Sequence, residues 1–184
     1  MRDRWIGLGF AIGSVCFWVA SMASQWASVS RPGIGVTFFV GSIFFTAAAF
    51  LQTREEHDDA SLIQFAGTIF FNVSTYEGMK RGFDTKETDL RVWAPDVFGS
   101  ICFLVSSWMA WRPDRNRINA LNLLGSVAFG VSAIAAFVEP NANEPVSAAI
   151  TNATTSLGGI CFLLGAVLLY RGASSEKEEA PAVP

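Results

Sequence analysis

Charged residues are scarce in this chain of 184 residues, and they fall into short clusters between long uncharged stretches. Lys, Arg, Asp and Glu make up 16% of the residues, whereas an ordinary soluble domain contains about 25%. The formal net charge is −3, so the composition offers no basic surface for nucleic acid. The composition therefore argues against an ordinary soluble domain and against a nucleic-acid-binding protein.

Residues of the kinds that build catalytic and metal sites are also few. The single histidine, His57, excludes a site with several histidine ligands, and its acidic neighbours are typical of an exposed turn. The three cysteines show no CxxC spacing, so neither a redox motif nor a disulfide framework is predicted. The sequence has no GxSxG, no P-loop and no GxGxxG in a strand–helix setting. We therefore predict a protein that is not an enzyme and that has no metal or cofactor site.

Six long apolar runs account for most of the chain. A helix needs roughly 18 or more apolar residues to cross a hydrocarbon core about 30 Å thick. Charge and proline, which end helices at water, separate the runs. The runs extend over Trp5–Ala27, Gly33–Leu51, Ser61–Tyr76, Pro95–Trp111, Ile118–Val138 and Val146–Tyr170. The sequence thus predicts an all-α integral membrane protein, a six-helix bundle over residues 1–171, followed by a disordered cytoplasmic tail over 172–184.

The distribution of Lys and Arg predicts the orientation of the bundle, because positively charged loops are retained on the cytoplasmic side. With the N-terminus inside, eight of these residues lie inside and five outside. The inside set is Arg2, Arg4, Arg54, Arg112, Arg115, Arg117, Arg171 and Lys177, and the outside set is Arg31, Lys80, Arg81, Lys86 and Arg91. We expect a plasma-membrane protein with both termini in the cytoplasm.

Two features near the fourth run carry further expectations. Asp96 is the charged residue nearest to the interior of a span, and we expect it to cap the fourth helix by accepting backbone hydrogen bonds. Residues 77–94 are expected to form the one long loop on the outer side, whose mixed charges are typical of a solvated loop and would also suit a docking surface.

A five-residue word consisting of two small residues, an aliphatic residue, a variable residue and phenylalanine occurs once in each run. The words are GSVCF from Gly13 to Phe17, GSIFF from Gly41 to Phe45, GTIFF from Gly67 to Phe71, GSICF from Gly99 to Phe103, GSVAF from Gly125 to Phe129, and GGICF from Gly158 to Phe162. Residues four apart lie on one face of a helix. In lipid, helices associate through close backbone approach at small residues. We therefore predict that these glycines and phenylalanines form a helix-packing seam.

The words recur with a nearly constant period. Odd-numbered words are 54 and 58 residues apart, and even-numbered words are 58 and 59 residues apart. This predicts three helical-hairpin repeats, at about 5–51, 61–111 and 118–170, that are parallel about an axis along the membrane normal.

The hairpin segments IGSVCFWVAS and FFVGSIFFTAAAF resemble the YrhK-like family of bacterial multi-pass membrane proteins. The later segments LIQFAGTIFFNVSTYEG and WAPDVFGSICFLVSSWMAW resemble longer relatives in actinobacteria. The resemblance implies a multi-pass membrane protein without an established activity, and it transfers no functional residue to this chain.

Uncharged polar residues within the runs leave two interpretations open. Such residues can join helices, at about 0.6 kcal/mol per hydrogen bond, or they can line a polar pocket or a solute path. The pocket candidates are Asn72, Ser106, Asn122, Asn152 and Thr155. The first hypothesis is a non-enzymatic interaction or scaffold protein in the lipid bilayer, with a second copy or another membrane protein as partner. The alternative is a small-molecule transporter or channel with a path lined by Asn72, Asn122 and Asn152.

Overall fold

The computed structural model describes residues 2–25, 30–139 and 145–178. Its α-helices are α1 (Arg2–Ala23), α2 (Arg31–Glu56), α3 (Asp59–Gly78), α4 (Thr85–Thr88), α5 (Ala94–Trp111), α6 (Arg117–Ala135) and α7 (Ala148–Glu178). A π-helical turn, Asp89–Trp93, joins α4 to α5. The part of the chain that the structure describes is thus all-helical, apart from one antiparallel bridge between Val138 and Pro145.

Short capping segments end the helices near the charge clusters. At the end of α2, His57 takes a left-handed conformation with φ of 53°. Asp58 then caps α3, and its Oδ1 accepts a hydrogen bond of 2.8 Å from the backbone N–H of Ser61. In the same way, Asn116 caps α6 by accepting from the backbone N–H of Asn119 at 2.8 Å. Because these caps start the next helix, the turns between consecutive helices are short.

The fourth long helix begins at Thr85, about ten residues before the predicted start at Pro95. Asp84 and Glu87 form a capping box, so the chain is helical from Thr85 onward. The π-helical turn ends at Trp93, two residues before Pro95, whose missing backbone N–H interrupts regular α-helical hydrogen bonding. The prediction that Asp96 caps this helix is therefore wrong, because Asp96 lies inside it. Most of the predicted outer loop is likewise helical.

The six long helices form a closed ring. Going around the ring, α1 packs against α2, α2 against α3, α3 against α5, α5 against α6, and α6 against α7. Contact between α7 and α1 completes it. Arg4 connects α1 to α7. Its Nη2 donates a 2.6 Å hydrogen bond to the hydroxyl of Tyr170, and its guanidinium lies over the aromatic ring of the same tyrosine.

Large aliphatic side chains and many aromatic ones lie on the outside of the ring, whereas small residues and the phenylalanines of the repeated words lie within it. The buried residues are mainly Phe, Ala and Ser. The exposed ones include Leu62, Ile101 and Val127, each close to half exposed. A soluble protein does not expose apolar surface on this scale, whereas a lipid-embedded one does. The helices therefore indicate a membrane protein.

Five helical segments of the described chain are long and apolar enough to cross a membrane. They are Asp3–Ala23, Arg31–Glu56, Thr85–Trp111, Arg117–Ala135 and Ala148–Gly172. Helix α3 has the length but is more polar, because it contains Gln64 and Asn72 and ends just after Glu77. The third predicted span, Ser61–Tyr76, thus lies in a helix that belongs to the ring but is not one of these five apolar segments.

The C-terminal segment differs from its prediction. Helix α7 continues through Gly172 to Glu178, so the first part of the predicted disordered tail is helical. Residues 179–184 lie outside the described residues.

Candidate functional site

The side chains at the centre of the ring are the six phenylalanines of the repeated words. We call them the phenylalanine core: Phe17, Phe45, Phe71, Phe103, Phe129 and Phe162. Each is at most 6% exposed. The core therefore occupies the position that the pore of a channel would have.

Within the phenylalanine core, the rings from α1, α3 and α6 form one triangle. The centroid of Phe17 lies 6.3 Å from that of Phe71 and 5.6 Å from that of Phe129. The third side, from Phe71 to Phe129, is 5.8 Å. These separations are in the range at which aromatic rings attract one another.

The rings from α2, α5 and α7 form a second triangle. The centroid of Phe45 lies 6.1 Å from that of Phe103 and 5.9 Å from that of Phe162, and the third side is 5.7 Å. Three shorter contacts join the two triangles into a triangular prism. They link Phe17 to Phe45 at 5.5 Å, Phe71 to Phe103 at 5.1 Å, and Phe129 to Phe162 at 5.2 Å. Each joining contact lies within one helical hairpin.

The glycines of the repeated words lie against this core. In the first hairpin, a Cβ atom on Gly13 would lie 2.8 Å from Cδ2 of Phe45. A Cβ atom on Gly41 would lie 3.0 Å from Cδ2 of Phe17 and 2.7 Å from Cβ of Cys16. Each phenylalanine of the hairpin thus fills the space above the glycine of the other helix.

The other two hairpins repeat this reciprocal contact. A Cβ atom on Gly67 would lie 2.8 Å from Cδ2 of Phe103, and one on Gly99 would lie 2.9 Å from Cδ1 of Phe71.

In the third hairpin, a Cβ atom on Gly125 would lie 3.0 Å from Cε2 of Phe162, and one on Gly158 would overlap the ring of Phe129. A Cβ atom at these positions would force the facing phenylalanine ring, or the helix that carries it, to move.

Hydroxyl groups join neighbouring hairpins. One pair of side-chain oxygens, within hydrogen-bond distance of each other, bridges each seam between hairpins. The pairs are Ser42 with Thr75 at 3.0 Å, Ser107 with Ser126 at 2.8 Å, and Ser21 with Ser156 at 2.7 Å. These contacts orient the helices without introducing charge into the bundle.

The five residues of the predicted polar pocket do not line one common cavity. Asn72 donates to the hydroxyl of Thr46 at 2.8 Å, on the seam between α2 and α3. Ser106 donates to the carbonyl of Phe103 within its own helix. Asn152 is partly buried on α7.

The remaining two members also differ in their surroundings. The hydroxyl oxygen of Thr155 lies 2.6 Å from that of Ser132, between α6 and α7. Asn122 is the one member of the five that lines the cavity described next.

A cavity opens at one end of the bundle, which we call the inner end because the sequence predicts that it faces the cytoplasm. This inner cavity has a volume of about 560 Å³ and lies among the turns that join α2 to α3 and α5 to α6. Four carboxylates line it: Glu56, Asp58, Asp59 and Asp114. Deeper in, it reaches Phe10 and Phe162, and the second of these belongs to the phenylalanine core.

Amide side chains also line the inner cavity. Two of them, Asn122 and Gln64, are partly buried, and neither side chain has a hydrogen-bond partner among the described residues. Gln64 was not among the predicted pocket residues, although a polar residue in the third predicted span was a usable signal. Phe10 was not among them either, and it belongs to no repeated word.

The described part of the chain contains no cluster of residues suited to binding a metal ion. Within residues 2–25, 30–139 and 145–178, His, Cys, Asp and Glu form no group of three or more that could hold a metal ion. The cysteines, Cys16, Cys102 and Cys161, are free thiols at the fourth position of their words.

Compared with models of protein families, with curated proteins and with solved structures, the sequence gives no significant match in any of the three. The resemblance to the YrhK-like family therefore stays a prediction.

Proposed function

We propose that this protein is a non-enzymatic membrane scaffold with six spanning helices, which holds a second copy or another membrane protein through its lipid-facing surface. The observation that carries the proposal is the phenylalanine core. Six aromatic rings in mutual contact fill the axis of the ring, where a transporter would need a polar path. Packing residues dominate the centre of the bundle, which suits a protein whose role is to present a rigid surface.

Its place in the ring supports α3 as a membrane span. This 20-residue helix packs against α2 and α5 and contributes Gly67 and Phe71 to the central contacts. At 1.5 Å per residue, a helix of 20 residues is about 30 Å long, which equals the hydrocarbon thickness. Its polar residues Gln64 and Asn72 face the cavity and the neighbouring helix α2.

The reciprocal contacts support an origin from three hairpin repeats. In each hairpin, glycine and phenylalanine exchange contacts in the same way, and each seam between hairpins has one pair of hydroxyl groups. Repeats parallel about an axis along the membrane normal produce this arrangement. Membership of the YrhK-like family is part of the same proposal, and the GSxxF words in both arms of a hairpin support it.

The first test concerns the six spans and uses single cysteines in a chain whose three native cysteines are replaced by alanine. We expect Glu55→Cys and Pro113→Cys to react with a membrane-impermeant maleimide only after the cells are permeabilised. Lys86→Cys should react in intact cells, because α3 carries the chain across the membrane between positions 55 and 86. Labelling is measured by the mass shift of the purified protein.

The cysteine-free chain, treated identically, gives the background. If positions 55 and 86 react on the same side of the membrane, α3 does not cross it and the six-span proposal fails.

The second test separates a scaffold from a transporter. The presence of Asn122 in the lining of the inner cavity favours a transporter or channel. The cavity also reaches Phe162 of the phenylalanine core, which closes the path along the axis. We therefore expect proteoliposomes to take up radiolabelled putrescine no faster than protein-free liposomes, and planar bilayers in KCl to show no added conductance.

Uptake that disappears in the triple variant Asn72→Leu, Asn122→Leu, Asn152→Leu would overturn the scaffold proposal in favour of the path through these residues. Uptake that persists in the triple variant would exclude that path but would also contradict a closed scaffold.

A further inference from the structure

We infer that the inner cavity is a binding site for an elongated organic cation of the polyamine class, in which ammonium groups are separated by methylene segments. The inference goes beyond the proposed scaffold function, and it depends on the shape, the charge and the unpaired amide groups of the cavity.

The charge of the cavity is one-sided. Its carboxylates come from two turns: Glu56, Asp58 and Asp59 from the turn between α2 and α3, and Asp114 from the turn between α5 and α6. Among the described residues that line the cavity, none is Lys or Arg. A concave surface of one charge sign focuses its potential and raises the local concentration of oppositely charged ligands.

Two arginines near these turns lie against aromatic rings, and Arg112 of the turn between α5 and α6 is exposed and outside the cavity lining. The guanidinium of Arg54 lies 5.7 Å from the ring centroid of Phe50, which is 45% exposed on the outside of the bundle. Arg115 lies 4.7 Å from the centroid of Trp111. These two arginines do not line the cavity, so its negative charge is not neutralised by them.

The carboxylates keep capacity to accept hydrogen bonds. Both oxygens of Glu56 accept from the amide of Gln52 at 3.0 Å, and Oδ2 of Asp114 accepts from Asn116 at 2.6 Å. These partners are neutral. Since a carboxylate has about four acceptor sites, an incoming ammonium group can bind without displacing a salt bridge.

The arrangement of the acidic groups favours an organic cation over a metal ion. Hard cations such as Mg²⁺ and Ca²⁺ need several oxygens that converge within about 2.0–2.6 Å of one point. The described residues offer no such cluster. A cavity whose carboxylates come from two different turns and whose other lining residues include apolar side chains fits a molecule in which ammonium groups alternate with methylene segments.

The apolar and amide side chains of the lining supply the rest of the site. Phe10 and Phe162 provide apolar surface for methylene groups, and pockets of this kind combine an apolar lining with a few polar groups that orient the ligand. The amide of Asn122 is one such group. Gly165 makes room for it, because a Cβ atom there would lie 2.8 Å from Oδ1 of Asn122.

Isothermal titration of the full chain with spermidine tests the inference. The protein is held in nanodiscs of zwitterionic phosphatidylcholine, and the heat from empty nanodiscs is subtracted, so that lipid binding does not contribute. We expect saturable binding to the wild-type chain. Because a hydrogen bond to a charged group contributes about 1.5–3 kcal/mol, the double variant Glu56→Gln, Asp114→Asn should bind at least about tenfold more weakly.

Glu55→Gln is the matched control, since it removes one charge from the same turn at a residue outside the cavity lining. It should leave the affinity within about twofold of wild type. Asn122→Leu should weaken binding without any change of charge, which provides a second readout if the carboxylate variants fold poorly.

Three results would overturn the inference. They are the absence of saturable heat at millimolar spermidine, equal loss of affinity in Glu55→Gln and the double variant, and full competition by Mg²⁺ at equal ionic strength. None of these outcomes bears on the scaffold proposal, which depends on the core and on the absence of flux.

Discussion

Replacing Gly158 by alanine is expected to lower the stability of the folded protein by about 2–3 kcal/mol, the upper part of the usual range for overpacking. The added Cβ atom would overlap the ring of Phe129, and the backbone oxygen of Gly125 would lie 3.1 Å away on the facing helix. The ring of Phe129 must therefore shift or the two helices must separate, and either change disturbs the contact between Phe129 and Phe162. In detergent, the midpoint of thermal unfolding should fall by about 5 °C or more.

Gly130→Ala is the matched control for this prediction. Gly130 is also in the middle of a long helix, but a Cβ atom there meets nothing within 4 Å. Alanine is a better helix former than glycine by about 1 kcal/mol, so this variant should be as stable as wild type or slightly more stable. Similar melting of the two variants would contradict the view that glycine at position 158 allows close packing.

Replacing Phe103 by alanine is expected to cost about 3–5 kcal/mol, the range for removing a buried phenylalanine from a core. Phe103 is 1% exposed and contacts three other rings of the phenylalanine core, Phe45, Phe71 and Phe162. Its removal leaves a cavity at the centre of the ring that the surrounding helices cannot fill without moving. The measurement is the loss of the monodisperse peak in size-exclusion chromatography after heating in detergent.

The control is Phe98→Ala in the same helix. Phe98 is 55% exposed, so its loss removes a side chain of the same size from the outer surface and leaves no internal cavity. We expect a small change in its midpoint compared with Phe103→Ala. The double variant Phe71→Ala, Phe103→Ala should lose less than the sum of the single losses, because the two rings share one contact at 5.1 Å. A midpoint unchanged by Phe103→Ala would contradict the packing role of the core.

The approximate positions of the helices were accessible from the sequence because helix formation in lipid depends on local composition. The second predicted run, Gly33–Leu51, lies inside α2, and the third, Ser61–Tyr76, lies inside α3. Errors occurred where a capping signal competed with a proline. The Asp84–Glu87 capping box starts the fourth long helix well before Pro95. A π-helical turn precedes the proline, and the helix continues beyond it.

The candidate site was only partly accessible from the sequence. Asn122 was among the predicted pocket residues, and it lines the inner cavity. Asn72 was grouped with it, but Asn72 bonds to Thr46 on another seam. Residue type and depth in the membrane do not reveal the rotation of a helix about its axis, and that rotation decides whether two polar side chains on different helices meet.

By itself, the sequence determined that the protein is helical and apolar enough for lipid, and that glycine and phenylalanine share a helix face. These are properties of single helices, set by composition and by a spacing of four residues. Only the tertiary structure decided which phenylalanine covers which glycine, that α7 closes the ring against α1, and that two distant turns enclose one acidic cavity. The physical reason is that these contacts join residues far apart in the chain, and their geometry depends on how all the helices pack together.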